Sequence, residues 1–151
     1  MRKRTQAREL ALQILYHQDL NPETLEDLLP SFWEDHPSPP EVRDYSEKLV
    51  RGTLSHRAAV DELLTKYAEH WELHRMAVVD RNILRCATYE LLFHEEEVPP
   101  KVVINEAVNI AKKFSQEESG KFVNGVLDKI AHAEPRRTQA GTSESRKKDE
   151  S

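Results

Sequence analysis

One cysteine, four glycines and two methionines among 151 residues leave several protein classes without their raw material. A lone Cys86 forms neither an internal disulfide nor a cysteine metal cluster, which fits a reducing, cytoplasmic setting. So little glycine speaks against a hairpin-rich β fold, whose tight turns need φ > 0. No apolar run approaches the ~20 residues that span a bilayer. The basic N-terminus is not followed by the apolar block of about 7–15 residues that marks a secretory signal, so no membrane role is expected. The G-x-S-x-G elbow, a phosphate-cradling glycine loop and H-E-x-x-H are all missing, so no catalytic residues and no cofactor are assigned.

What is present is a set of helical stripes punctuated by eight prolines. The length suits one domain, able to bury roughly two-thirds of its unfolded surface. Ala7, Leu10, Ala11, Ile14 and Leu15 fall on one face of a first helix, about residues 5–20. Asn21-Pro22 reads as the start of a second, with Leu25, Leu28, Leu29 and Phe32 inside. A third carries Val42, Tyr45, Leu49 and Val50, with a boundary at Gly52. A fourth carries Val60, Leu63, Leu64, Tyr67 and Trp71, and a fifth Val79, Ile83, Leu84, Ala87, Leu91 and Leu92. Pro99-Pro100 opens a sixth, with Val103, Ile104, Ala107, Val108, Ala111 and Phe114. Ser119 reads as the cap of a seventh, with Val123, Val126, Leu127 and Ile130. About seven helices and no convincing strand predict an all-α bundle over residues 1–133. A strand at Val102-Val103-Ile104 competes with this reading but runs into a helical period. Residues 134–151 lose the apolar pattern and read as a disordered polar tail.

Few residues suggest chemistry. Cys86 reads more strongly as a small core residue than as a nucleophile, since free cysteine is commonly buried. His70 and His74, four apart, supply two ligands where zinc needs a third protein ligand, and no metal site is assigned. Glu95-Glu96-Glu97 reads as a solvated loop. Basic residues are more informative. Arg2, Lys3, Arg4 and Arg8 gather at the entry to the first helix, where they oppose the macrodipole; an anionic partner would give them a purpose. Lys112 and Lys113 close the sixth helix, where the dipole favours them. Lys121 lies just inside the seventh, where helix N–H groups hold phosphate well. Its neighbour Phe122 is open to two readings, a stack for an unpaired base or a core residue.

The net charge of −5, with 22 basic and 27 acidic residues, argues against nucleic-acid binding when taken whole. Its distribution argues otherwise. Residues 1–20 carry +2, residues 21–47 carry −7, and the remainder is balanced. A small basic site beside an acidic flank is compatible with the average.

Three stretches resemble the NusB family of bacterial transcription antitermination factors. They are Lys101-Val-Val-Ile-Asn-Glu-Ala-Val-Asn-Ile-Ala-Lys-Lys-Phe114 with Ser119-Gly-Lys-Phe-Val-Asn-Gly-Val-Leu-Asp-Lys129, then Arg8-Glu-Leu-Ala-Leu-Gln-Ile-Leu-Tyr16, and Asp80-Arg-Asn-Ile-Leu-Arg-Cys-Ala-Thr-Tyr-Glu-Leu91. The resemblance covers roughly residues 2–132 and implies two packed three-helix sub-bundles with a short extra helix, and no enzymatic activity. It implies NusE, a small-subunit ribosomal protein, as partner. With NusE the family binds single-stranded boxA RNA in nascent rRNA leaders and acts on elongating RNA polymerase with the other Nus factors. Carried over by position, RNA would meet Arg2, Lys3, Arg4, Arg8, Glu118, Ser119, Lys121 and Phe122, and NusE would meet Tyr16 and Asp80. Lys101, Asn105, Glu106, Asn124 and Gly125 also match. Of these, Asn105 and Asn124 are expected to tie neighbouring turns as buried amides, and Gly125 to permit close helix approach. The tail has no counterpart in the shared motifs; Arg136-Arg137 and Arg146-Lys147-Lys148 either add weak RNA contacts or keep the end soluble. Two other readings compete: a stand-alone module related to the N-terminal domain of rRNA cytosine methyltransferases, and a helical module acting through protein contacts alone, including a homodimer.

Overall fold

The computed structural model describes residues 2–69 and 72–137. Among them are seven α-helices, one 3-10 turn and no strand: α1 Lys3–Leu20, α2 Leu25–Asp35, α3 Pro40–Ser55, α4 Arg57–Tyr67, the turn Leu73–Arg75, α5 Val78–Leu92, α6 Pro100–Phe114 and α7 Glu117–Ala133. The strand alternative at residues 102–104 is thereby replaced by helix.

Helix α5 is the spine, packed against α1, α3, α4, α6 and α7. Every residue from Asn82 to Leu92 on it is buried. A helix buried all round must satisfy any polar group it carries. Arg85 therefore grips Asp61 on α4 at 2.8 and 3.1 Å and reaches Asp19 on α1 at 3.3 Å. Asn82 and Arg81 donate to the same Asp19 at 2.9 and 2.8 Å. Burial works against the Asp19 charge, but Arg81, Asn82 and Arg85 outweigh it and hold its pKa below the ordinary value. The apolar core forms around this spine, with Ile14, Leu49, Leu64, Leu84 and Leu127 fully enclosed.

Several boundaries differ from the sequence reading. Helix α2 starts after Thr24, whose hydroxyl accepts the Asp27 N–H; a threonine side chain satisfies an orphan donor that Asn21-Pro22 was expected to serve. Gly52 does not end α3. The Tyr89 ring packs on its bare Cα, and a Cβ there would lie 2.0 Å from Tyr89 Cζ, so glycine permits the α3–α5 approach. Helix α4 ends at Tyr67, and His70 and Trp71 lie outside the described residues. Helix α7 is capped at Gln116, which leaves Ser119 inside its first turn. Phe114, read as a stripe residue, closes α6 with 37% of its surface exposed. Residues 134–137, read as the start of the tail, lie against the end of α5. There Arg136 donates to the carbonyls of Leu91 and His94, and the Arg137 N–H to that of Leu92. These bonds satisfy C-terminal carbonyls that a helix leaves orphaned. Arg146-Lys147-Lys148 lies outside the described residues.

Candidate nucleic-acid interface

Helices α1 and α6 are linked by long side chains, not by close backbone packing. Thr5 and Arg8 both reach Glu106, and further along Lys113 pairs with Glu9 at 3.0 Å. The edge between them opens at its start into a broad groove lined by the cations Arg2, Lys3, Arg4 and Arg8, the acids Glu96, Glu97 and Glu106, and Asn105 and Asn109. From Arg4 to Tyr16 the α1 edge extends about 18 Å at the helical rise.

Arg2, Lys3 and Arg4 are exposed at the helix entry, as the sequence suggests. Lys3 Nζ meets Glu41 at 2.7 Å. Arg4 donates to both Glu96 oxygens, at 3.0 and 3.2 Å, and its guanidinium lies 3.9 Å from the Tyr45 ring centroid. These contacts hold Glu41 and Glu96 below the usual carboxylate range.

Arg8 is placed differently from the other three. Only 7% exposed, it donates to Glu90 through Nε at 2.9 Å and Nη2 at 2.6 Å, and to Glu106 at 2.9 Å. Tyr45 adds a 2.6 Å hydrogen bond to the same Glu90. Burial opposes the Arg8 charge, yet Glu90, Tyr45 and Glu106 more than offset it and raise its pKa. Arg8 thus forms part of the groove floor, with its donors taken by Glu90 and Glu106.

At the other end of the edge, two features lie close together. Tyr16, 39% exposed, and Phe114 line an apolar hollow of about 510 Å³ with Leu12, Leu28, Phe32 and Val79. Beyond it, Asp80, Glu118, Ser119 and Phe122 share a slot with Arg75, Met76 and Ala77. Ser119 donates to Asp80 at 3.1 Å and lies 3.0 Å from Ser115 Oγ. Asp80 therefore joins the segment assigned to RNA, while its neighbour Val79 faces the hollow with Tyr16. Phe122 is half-buried and packs against the core, keeping part of its ring at the slot. Lys121 is exposed on the same turn.

Other sequence expectations change. Asn105 and Asn124 are exposed, not buried amides, and a Cβ on Gly125 would meet nothing within 4 Å. Close helix approach explains Gly52, not Gly125. Cys86 is buried, and desolvation pushes its thiol up to about 12, which removes the thiolate a nucleophile needs. Among the described residues no three metal-ligating side chains gather, and no helix is long and apolar enough to cross a membrane. Sequence reasoning missed Asn109, Val102 and Glu96, which line the groove from other elements, and Glu41, which reaches Lys3 from α3. Only the topology brings them there.

Comparison with known proteins places these features. The model of the NusB family matches residues 5–132. A transcription antitermination protein NusB from Anaeromyxobacter dehalogenans is 52% identical over 134 residues, covering 88% of this chain and 93% of the relative. The structure of T. maritima NusB superposes with a TM-score of 0.78 at 38% identity, over 86% of this chain and 91% of that one. A structure of the antitermination factors NusB and NusE in complex with dsRNA matches with a TM-score of 0.80 at 34% identity, over 89% and 99%.

Proposed function

The chain belongs to the NusB family, and from that premise we propose that it is a non-enzymatic transcription antitermination factor. With NusE it binds boxA RNA in nascent rRNA leaders. It then acts in the cytoplasm on elongating RNA polymerase together with the other Nus factors. The observation that carries this reading is the pairing of exposed cations with a partly open aromatic ring: Arg2, Lys3 and Arg4 at the α1 entry, and Phe122 beside hydrogen-bonding groups in the slot between the start of α5 and α7. Phosphates dock at Arg2, Lys3 and Arg4, supplying affinity without sequence information. Unpaired bases meet Phe122, Ser119 and Glu118, with Lys121 beside them, in the stacking mode that single-stranded RNA favours. Arg8 supports the arm from beneath. NusE covers the apolar hollow at Tyr16 and the neighbouring Asp80, extending the RNA surface; an apolar hollow beside a polar edge suits a protein partner.

Binding of a single-stranded boxA oligonucleotide, with and without NusE, tests the reading. Replacing Arg2, Lys3 and Arg4 together by Ala is expected to weaken binding roughly ten-fold at moderate salt. Replacing Tyr16 by Asp is expected to weaken NusE association while leaving the fold intact. Unchanged RNA affinity in the triple variant would remove the arm from the account. The methyltransferase-related alternative requires methyl transfer to RNA, and the expected result of that assay is none.

A further inference from the structure

The cations at the start of α1 already hold carboxylates supplied by two distant elements. The first turn of α1 contains no acid of its own. Glu41 comes from the first turn of α3, and Glu96 from the loop between α5 and α6. Their partners are about half exposed or more on both sides, 62% and 65% for Lys3 with Glu41, 49% and 50% for Arg4 with Glu96. Ion pairs this exposed contribute little to folding stability. What they do is occupy hydrogen-bond donors of the two cationic side chains. A carboxylate presents oxygen acceptors to an ammonium or a guanidinium fork much as a phosphate does. Arg4 is also held independently of Glu96. Its guanidinium stacks over Tyr45, and Tyr45 is fixed by its 2.6 Å bond to buried Glu90. The Tyr45 ring thus gives the fork a second anchor besides the carboxylate.

Resting on the reading that this arm takes RNA phosphates, we infer that Glu41 and Glu96 are built-in competitors that occupy the phosphate positions of Lys3 and Arg4 in the free protein and are displaced when RNA binds. The free arm is thereby close to neutral at these two positions, which lowers its attraction for any passing polyanion. A second consequence is thermodynamic. RNA releases condensed cations when its phosphates are neutralised. A displaced carboxylate recruits a cation in turn and offsets part of that release. The salt dependence of binding is therefore shallower than the number of phosphate contacts implies.

The test uses the full chain with NusE, a single-stranded boxA oligonucleotide and a scrambled one, titrated across a range of salt concentrations. Glu41→Gln and Glu96→Gln preserve shape and remove charge, and both sites are exposed, so thermal melts should match the parent. Each is expected to tighten binding about two- to five-fold, the range an exposed pair spans. The gain should be equal on both oligonucleotides, because phosphates carry no sequence. Each should also steepen the slope of log K against log salt by up to about 0.7, one single-strand phosphate's worth. Unchanged or weaker binding in both Gln variants, while the Arg2, Lys3 and Arg4 triple variant still loses affinity, would overturn this inference and leave the arm reading standing. A triple variant that binds as well as the parent would overturn the arm reading and the inference together.

Discussion

Replacing Arg8 by Ala separates a structural cation from a binding one. In the fold, Arg8 gives three hydrogen bonds to Glu90 and one to Glu106, with the Arg8 side chain 8% exposed and Glu90 2% exposed. Truncation leaves Glu90 buried with Tyr45 as its remaining hydrogen-bond donor. Removing one partner of a buried pair costs about 3–5 kcal/mol. For a domain of this size that corresponds to a fall in Tm of about 10–15 °C, at roughly 3 °C per kcal/mol. Circular dichroism at 222 nm reads the melt. RNA binding, measured well below the lowered Tm, should fall less than in the Arg2, Lys3 and Arg4 triple variant, because the Arg8 donors at the groove floor are already taken by Glu90 and Glu106. Coupling Arg8→Met with Glu90→Gln, which removes both charges, should recover part of the loss. A melt equal to the parent's, together with clearly weaker RNA binding, would refute the assignment of Arg8 to the buried network.

Three further outcomes follow from the packing. Gly52→Ala should destabilise by about 1–3 kcal/mol through its clash with Tyr89, while Gly125→Ala, facing open space on α7, should stabilise by up to about 1 kcal/mol; chemical denaturation of the two variants reads the opposite signs. His94 is 1% exposed, and burial holds its pKa below the ordinary 6.5 in spite of Glu90, Glu95 and Glu96 nearby, with Lys48 acting in the same direction as burial. The unfolded chain then binds more protons than the native one below that value. Stability is therefore full above about pH 6.5 and falls as pH drops toward the native pKa. Melts at pH 7.5 and 5.5 should show a loss that His94→Gln reduces; equal losses in both proteins would contradict it. Cys86 should react with a thiol reagent only upon unfolding, at the unfolding rate, since its thiol is buried and pushed up to about 12.

The helices were legible because each writes its own period. The Val60, Leu63, Leu64 and the Val103, Ile104, Ala107 stripes need no tertiary information, and Pro99-Pro100 marks the start of α6 unaided. Caps were less legible. Thr24, not Asn21, caps α2 with its side chain, and at α7 the cap position falls on Gln116, whose side chain bonds no helix N–H, with Ser119 turned to Asp80 instead. The exposed arm was visible as a cluster against the helix dipole. The burial of Arg8 was not, because Glu90 is 82 residues away and no local pattern links them. Separations of 38 and 92 residues likewise hide Glu41 and Glu96 from any reading of the N-terminus by itself. Gly52 and Gly125 look alike in sequence, and only the Tyr89 ring tells them apart.

The most direct test of the account is the affinity of the chain for single-stranded boxA RNA with NusE present, compared between the parent and the protein carrying Arg2→Ala, Lys3→Ala and Arg4→Ala. The account predicts that NusE tightens binding, that boxA is preferred over a scrambled sequence, and that the triple variant loses about ten-fold. Equal affinity of the two proteins, or no RNA binding with NusE present, would contradict it.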